Sequence, residues 1–235
     1  MIPIGDTPEQ RRSRFPIVTI LLLLANVAVF VYQLSLGPAI NQFVASFGVV
    51  PAEIARGVDI PPNSPDPVYL TLFSAMFMHG GFLHIAGNML YLWIFGDNVE
   101  DALGHIPFLG FYLLAGLMAS LIHVFVDPSS TIPSIGASGA IAGVLAGYLV
   151  LFPTASIRTL LILGPFITMA RVSAFILIGF WAVLQFINGL ASLGADTAQT
   201  SGVAFWAHIG GFVVGLVVVG GWKMFRGNQA APFPG

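Results

Sequence analysis

The chain has 235 residues, of which 57% are hydrophobic and 8% are charged, and it contains no cysteine. Soluble domains carry about 25% charged residues, so this composition excludes an ordinary soluble domain and indicates an integral membrane protein. The net charge of −2 leaves no basic surface for binding nucleic acid. Without cysteine, disulfides, cysteine nucleophiles and thiolate metal sites are excluded.

Six apolar segments follow one another along the chain, and several approach the ~20 residues needed to cross a bilayer. They predict an all-α membrane protein, a bundle of six transmembrane helices at residues 15–34, 83–95, 106–126, 137–152, 172–190 and 203–219. The first segment is too long for the apolar core of a signal peptide, so we expect it to remain in the protein. A His-Gly-Gly break precedes the second segment, and the fourth segment is short.

The positive charges predict how the helices are oriented. Of the eight Lys and Arg residues, all except Arg56 precede the first segment, lie between the fourth and fifth, or follow the sixth. Because cytoplasmic loops are enriched in Lys and Arg, both termini are expected in the cytoplasm. The predicted division is a cytoplasmic tail at 1–14, a membrane domain at 15–222 and a second cytoplasmic tail at 223–235.

Three of the predicted helices carry polar side chains near the outer face of the membrane. The second carries His79, His84 and Asn88, the fourth begins at Ser138, and the sixth carries His208, about 8 Å below its start. Each residue alone has a structural explanation, as a small packing residue or as a hydrogen-bonding group between helices. Together they indicate a site, because polar groups at this depth are costly unless they face a partner or a wet cavity.

The fourth segment has features that place Ser138. Its 16 residues cover only ~24 Å of a hydrocarbon core ~30 Å thick, so the helix is expected to start below the membrane surface. A helix start offers unpaired N–H groups to negative charge. Small residues recur every four positions in two segments, and such faces pack closely. They are Gly139, Gly143 and Gly147 in the fourth segment and Ala207, Gly211 and Gly215 in the sixth.

If these two faces meet, Ser138 and His208 lie side by side. A serine becomes a nucleophile when a base removes its proton, and neutral histidine is the usual base near pH 7. His84 and Asn88, four residues apart, share one helix face and can donate hydrogen bonds to an oxyanion. The backbone N–H of Ser138 is a third candidate donor.

No acidic residue is expected beside this pair. All ten acidic residues fall in predicted tails or loops, and Asp97, Glu100 and Asp101 are interpreted as a solvated helix end. The sequence therefore predicts a Ser-His dyad rather than a triad. It lacks the HExxH string of zinc metalloproteases, and we expect neither a metal nor a cofactor.

Three motifs resemble those of the rhomboid intramembrane serine proteases. GASGAIAG contains a GxSG serine at Ser138, AHIGGFVVG contains an AHxGG histidine at His208, and HGGFLHIAGNM matches an HxxxxHxxxN element ending at Asn88. The resemblance extends from the first segment to the sixth and implies a bacterial-type core of six helices. The supporting motif positions are His79, Gly136, Gly139 and Gly211.

The resemblance implies roles for four residues. Ser138 would be the nucleophile, His208 the general base and then the general acid, and His84 and Asn88 part of the oxyanion hole. Substrates would be transmembrane proteins, cleaved near the outer face of the plasma (inner) membrane of a bacterium. The protein's partners would thus be these substrates and the lipid bilayer.

Two further features bear on the resemblance. The fifth segment, with Gln185 and Asn188, and the loop 191–202 are expected to gate substrate access. Some family members carry a tyrosine four residues after the serine, against which the histidine stacks, but this position is Ala142 here. The resemblance therefore does not predict how His208 is oriented.

One alternative belongs to a different functional class, a non-proteolytic rhomboid-like protein that binds or escorts transmembrane clients. Such relatives generally lack the serine or the histidine, and this chain has both, so the sequence favours the protease. A transporter is a weaker alternative, since no internal repeat or buried charged pathway is visible. The sequence makes no prediction of oligomeric state or of the individual substrate.

Overall fold

The computed structural model describes residues 1–6, 13–164, 166–193 and 204–226. Predictions that concern residues 7–12, 194–203 and 227–235 lie outside the described residues. They include Arg11 and Arg12 of the N-terminal tail, most of the gating loop 191–202 and most of the C-terminal tail.

The described chain is mainly helical. The helices are α1 Ile17–Ser35, α2 Ile40–Phe47, α3 Pro51–Arg56, α4 Thr71–Ser74, α5 Phe82–Tyr91, α6 Asp97–Leu103, α7 His105–Val126, α8 Ser138–Leu151, α9 Ala174–Ser192 and α10 Phe205–Arg226. A π-helical turn, Leu92–Gly96, joins α5 to α6, so Phe82–Leu103 runs as one helical segment. The strands are β1 Ile2–Asp6, β2 Ser156–Leu163 and β3 Phe166–Ser173.

Each of the six predicted apolar segments corresponds to a helical segment. In the described part of the chain, α1, α7, α9 and α10 are each long and apolar enough to cross a membrane. Phe82–Leu103 qualifies together with Val68–Phe77, from which it is bent by 81°. Helix α8 has 14 residues, or about 21 Å, and is as short as predicted. The helical membrane bundle is confirmed, whereas the exact number of six spans stays a prediction.

Helix α8 lies at the centre of the bundle, in contact with α7, α9 and α10. Every residue from Gly139 to Tyr148 is buried, as expected for a helix that is apolar on all sides. A Cβ atom at Gly211 of α10 would collide with the carbonyl oxygen of Gly139, and one at Gly215 would collide with that of Gly143. The predicted close packing of the two small-residue faces is confirmed.

Gly211→Ala is expected to destabilise the protein, whereas Gly220→Ala on the same helix is not. The added Cβ at position 211 overlaps backbone atoms of α8, which cannot rotate away, while nothing lies within 4 Å of a Cβ at position 220. We expect Gly211→Ala to lower the free energy of unfolding by at least about 2 kcal/mol. Thermal unfolding in detergent measures this, and equal midpoints for the two variants would contradict the packing.

The interpretation of Asp97 and Glu100 as a solvated helix end is wrong, because both are buried, with 1% and 0% of their surfaces exposed. The Glu100 carboxylate accepts hydrogen bonds from the backbone N–H groups of Val18 and Thr19, from the Thr19 hydroxyl and from His105 Nδ1, at 2.6 to 2.8 Å. It therefore caps the start of α1, whose first N–H groups have no acceptor within the helix.

A three-stranded antiparallel sheet, in the order β1-β2-β3, packs on the bundle and was not predicted from the sequence. Strands β2 and β3 form a hairpin between α8 and α9, in register from the pair Ser156 and Ser173 onward, and β1 pairs with β2. Near the end of α8, the Lys223 ammonium of α10 donates to the Val150 carbonyl at 2.8 Å. Strand β1 and the end of α10 therefore lie at the same end of the bundle. That this end faces the cytoplasm stays a prediction.

Candidate active site

Ser138 and His208 meet where α8 packs against α10. Ser138 is the first residue of α8, and His208 lies in the first turn of α10. Because Gly139 and Gly211 let the two backbones touch, the Ser138 hydroxyl reaches Nε2 of His208, with 2.7 Å between Oγ and Nε2. The structure thus brings together the two residues that the sequence analysis paired.

Helix α9 holds the other side of the His208 ring. The ring's Nδ1 lies 2.8 Å from Oε1 of Gln185, and the Trp181 ring lies beside the imidazole with 5.8 Å between centroids. The sequence analysis gave Gln185 only a gating role and missed Trp181. The spacing of four residues between Trp181 and Gln185 could have indicated a shared role, because it puts both side chains on one face of the helix.

A cavity of about 890 Å³ opens beside the pair, lined by residues that include members of α5, α7, α8, α9 and α10. In the part of the chain that the structure describes, no group of three or more His, Cys, Asp or Glu residues could hold a metal ion. The residues that line this cavity include His84, Asn88, Ser138, Trp181 and His208.

His84 presents a hydrogen-bond donor toward Ser138. Its Nδ1 accepts the Gly80 N–H at 3.3 Å, so in the neutral ring Nε2 carries the proton. A Cβ built on Gly136 would lie 2.9 Å from that Nε2 and 3.5 Å from Ser138 Oγ. Gly136, whose φ is +133°, keeps this space open, because any side chain would fill it and would also be strained.

Asn88 lies one helical turn after His84 and also lines the cavity. The residue is 8% exposed, and its amide nitrogen has no hydrogen-bond partner among the described residues. A buried donor without an acceptor costs free energy. A negatively charged group in the cavity would offset that cost.

His79 does not line the cavity but supports the residues that do. It is buried, and its ring packs edge-on against His84 with 5.0 Å between centroids. Its backbone N–H donates to Oε1 of Gln33 in α1 at 2.9 Å, and its carbonyl accepts from Nε2 of the same side chain at 3.2 Å. These bonds hold the His-Gly-Gly break from which α5 starts.

Comparison with known proteins shows the family of this chain. The family model of the rhomboid domain matches residues 67–226, which is more than half of the chain. The chain belongs to the rhomboid family. The match includes every residue named above as lining the cavity, and it confirms the resemblance that the sequence motifs indicated.

This rhomboid is similar to proteins of bacteria and of eukaryotic organelles. It is 27% identical to the rhomboid protease AarA of Providencia stuartii, over 86% of this chain and 70% of that protein. It is 32% identical to the mitochondrial Rhomboid protein 1 of Saccharomyces cerevisiae and 31% identical to the chloroplastic Rhomboid-like protein 11 of Arabidopsis thaliana, over 67% and 70% of this chain.

The chain matches only part of the length of several of these relatives. It spans 42% of the yeast protein, 56% of the chloroplastic one and 25% of RHOMBOID-like protein 5 of Arabidopsis thaliana. Together the family match and the apolar helices make this chain a multi-pass membrane protein of the rhomboid family.

Proposed function

We propose that this rhomboid is an intramembrane serine endopeptidase that cleaves transmembrane proteins with a dyad of Ser138 and His208. The observation that carries the proposal is the 2.7 Å hydrogen bond between Ser138 Oγ and His208 Nε2 at a cavity inside the bundle. The similarity to AarA, which is named a protease, supports the same conclusion.

The dyad would act in two stages. His208 Nε2 takes the hydroxyl proton while Ser138 Oγ attacks the carbonyl carbon of the peptide bond, which forms a tetrahedral oxyanion and an imidazolium. The imidazolium then protonates the leaving amine, the C–N bond breaks, and an acyl-enzyme ester remains on Ser138. A water molecule that gives its proton to His208 hydrolyses this ester and restores the serine.

We assign the oxyanion hole to His84 Nε2, Asn88 Nδ2 and the backbone N–H of Ser138. The Gly80 bond leaves His84 Nε2 as the donor, and the Asn88 amide nitrogen has no acceptor among the described residues. The N–H at the start of α8 lies at the positive end of the helix dipole. Donors that are in place before the reaction stabilise the oxyanion without reorganisation.

We further propose that residues 15–222 form the membrane protease domain, between cytoplasmic tails at 1–14 and 223–235, in the plasma (inner) membrane of a bacterium. Ser138 begins a helix that would run inward from the outer face, so cleavage would take place near that face. A transmembrane substrate would have to unwind there, because a helix engages its carbonyl groups in hydrogen bonds.

The test is cleavage of a fluorogenic transmembrane substrate by the purified protein in proteoliposomes, with Ser138→Ala beside the wild type. We expect cleavage by the wild type alone. Folded wild-type protein that binds several substrates and cleaves none would instead support the client-binding role. Equal cleavage by both proteins would contradict the dyad.

A further inference from the structure

We propose that Gln185 is a positioning residue that holds His208 in the tautomer required of the base. This inference rests on the proposed function, because it concerns the protonation of the dyad's histidine. The observation behind it is the 2.8 Å contact between Gln185 Oε1 and His208 Nδ1, on the ring nitrogen opposite the one that meets Ser138.

The chemistry of the two contacts requires one arrangement of protons. An amide oxygen can only accept a hydrogen bond, so the proton of the neutral ring lies on Nδ1, next to Gln185. Nε2 is then unprotonated and accepts from the Ser138 hydroxyl, which a base must do. In the other tautomer, Nε2–H would point at the hydroxyl and could not take its proton.

The position of Gln185 on α9 shows that it belongs to the packed side of the helix. Residues of α9 that face the bundle recur at helical spacing, and Gln185 follows this series while Asn188 is exposed on the outer side. A polar side chain on such a face needs a partner within the membrane. The members of the series are Ala174, Leu177, Ile178, Trp181, Gln185 and Gly189.

The Trp181 ring completes the arrangement around His208. Trp181, one turn before Gln185, places its ring beside the imidazole at 5.8 Å between centroids. Ala142 of α8 has no ring to offer and is fully buried. Helix α9 therefore supplies both the ring contact, tilted by 37°, and the hydrogen bond that orient His208, and no carboxylate is needed for the orientation.

The experiment uses the full-length protein in proteoliposomes and a fluorophosphonate probe that reacts with activated serines. The probe is small, so its rate of labelling at Ser138 reports activation of the serine and not gating of a transmembrane substrate. Gln185→Met keeps the length and approximate volume of the side chain but removes the acceptor oxygen. Gln185→Glu replaces the amide with a carboxylate, which accepts hydrogen bonds but cannot donate one. Val183→Met, which introduces the same side chain two residues earlier on the exposed side of α9, is the matched control.

We expect Gln185→Met to lower the labelling rate and kcat for a transmembrane substrate by about 10-fold, the effect of one net hydrogen bond. The KM should stay unchanged, and the thermal unfolding midpoint should fall by only a few degrees, as expected for the loss of one buried hydrogen bond. Gln185→Glu should restore labelling toward the wild-type rate, and Val183→Met should label as the wild type does.

Two results would overturn this inference and leave the proposed function intact. One is wild-type labelling in Gln185→Met, and the other is a Gln185→Glu variant as slow as Gln185→Met, which would mean that the amide donates to Nδ1. A change confined to KM would assign Gln185 to gating instead. A wild-type protein that is not labelled at Ser138 would overturn the proposed function itself and this inference with it.

Discussion

Ser138→Ala and His208→Ala are each expected to slow peptide-bond cleavage by about 10⁴- to 10⁶-fold. Without Oγ no acyl-enzyme can form, and without the imidazole the hydroxyl 2.7 Å away has no base to take its proton. Both residues act in one step, so the double variant should be no slower than either single variant. Single-turnover cleavage in proteoliposomes, with enzyme in excess, measures all three rates.

Ser120→Ala is the matched control for this prediction. Ser120 lines the same cavity but lies in α7, outside the pair that shares the hydrogen bond. Its replacement should leave cleavage at the wild-type rate, so a large loss would point to a general effect on the cavity. A double Ser138 and His208 variant whose loss equals the product of the two single losses would mean that the residues act independently, contrary to the dyad.

Asn88→Leu is expected to lower kcat by about 10²- to 10³-fold, with little change in KM. The two side chains have the same branched arrangement of four heavy atoms, and the polar amide is lost. Its nitrogen has no acceptor among the described residues and would gain one when the carbonyl oxygen becomes an oxyanion. The contact therefore strengthens in the transition state, which is the condition for an effect on kcat.

Gly87→Ala serves as the control for Asn88→Leu, because it precedes Asn88, lines the same cavity and has nothing within 4 Å of an added Cβ. It should cleave as the wild type does. Asn88→Asp offers a second check, since an ionised carboxylate has no donor and repels the oxyanion, so it should be at least as slow as Asn88→Leu. A loss that appears mainly in KM would assign Asn88 to substrate binding and not to the oxyanion hole.

Much of the bundle and the meeting of Ser138 with His208 could be predicted from the sequence. Apolar length sets where helices cross the membrane, and residues four apart share a helix face. The small residues of the α8 face and of the α10 face therefore predicted which sides of these helices touch. Once Gly139 and Gly211 are in contact, the neighbouring Ser138 and His208 have little freedom to lie elsewhere.

The partners of individual polar groups were decided only by the tertiary structure. Glu100 caps α1 across more than 80 residues of sequence, and its acidic surroundings suggested solvent. The sheet includes a pairing of β1 with β2, which no local pattern in residues 1–6 predicts.

Gln185 is the clearest case of a role that depends on tertiary structure. Its polarity stood out on the apolar helix α9. Whether it lined a gate or held the His208 ring depended on which face of α9 packs against α10. A buried polar group takes whichever acceptor or donor the packing brings within about 3 Å. The sequence by itself determined which helices form and which apolar faces meet, because both follow from local spacing. Only the packed structure determined which distant hydrogen-bonding groups satisfy one another.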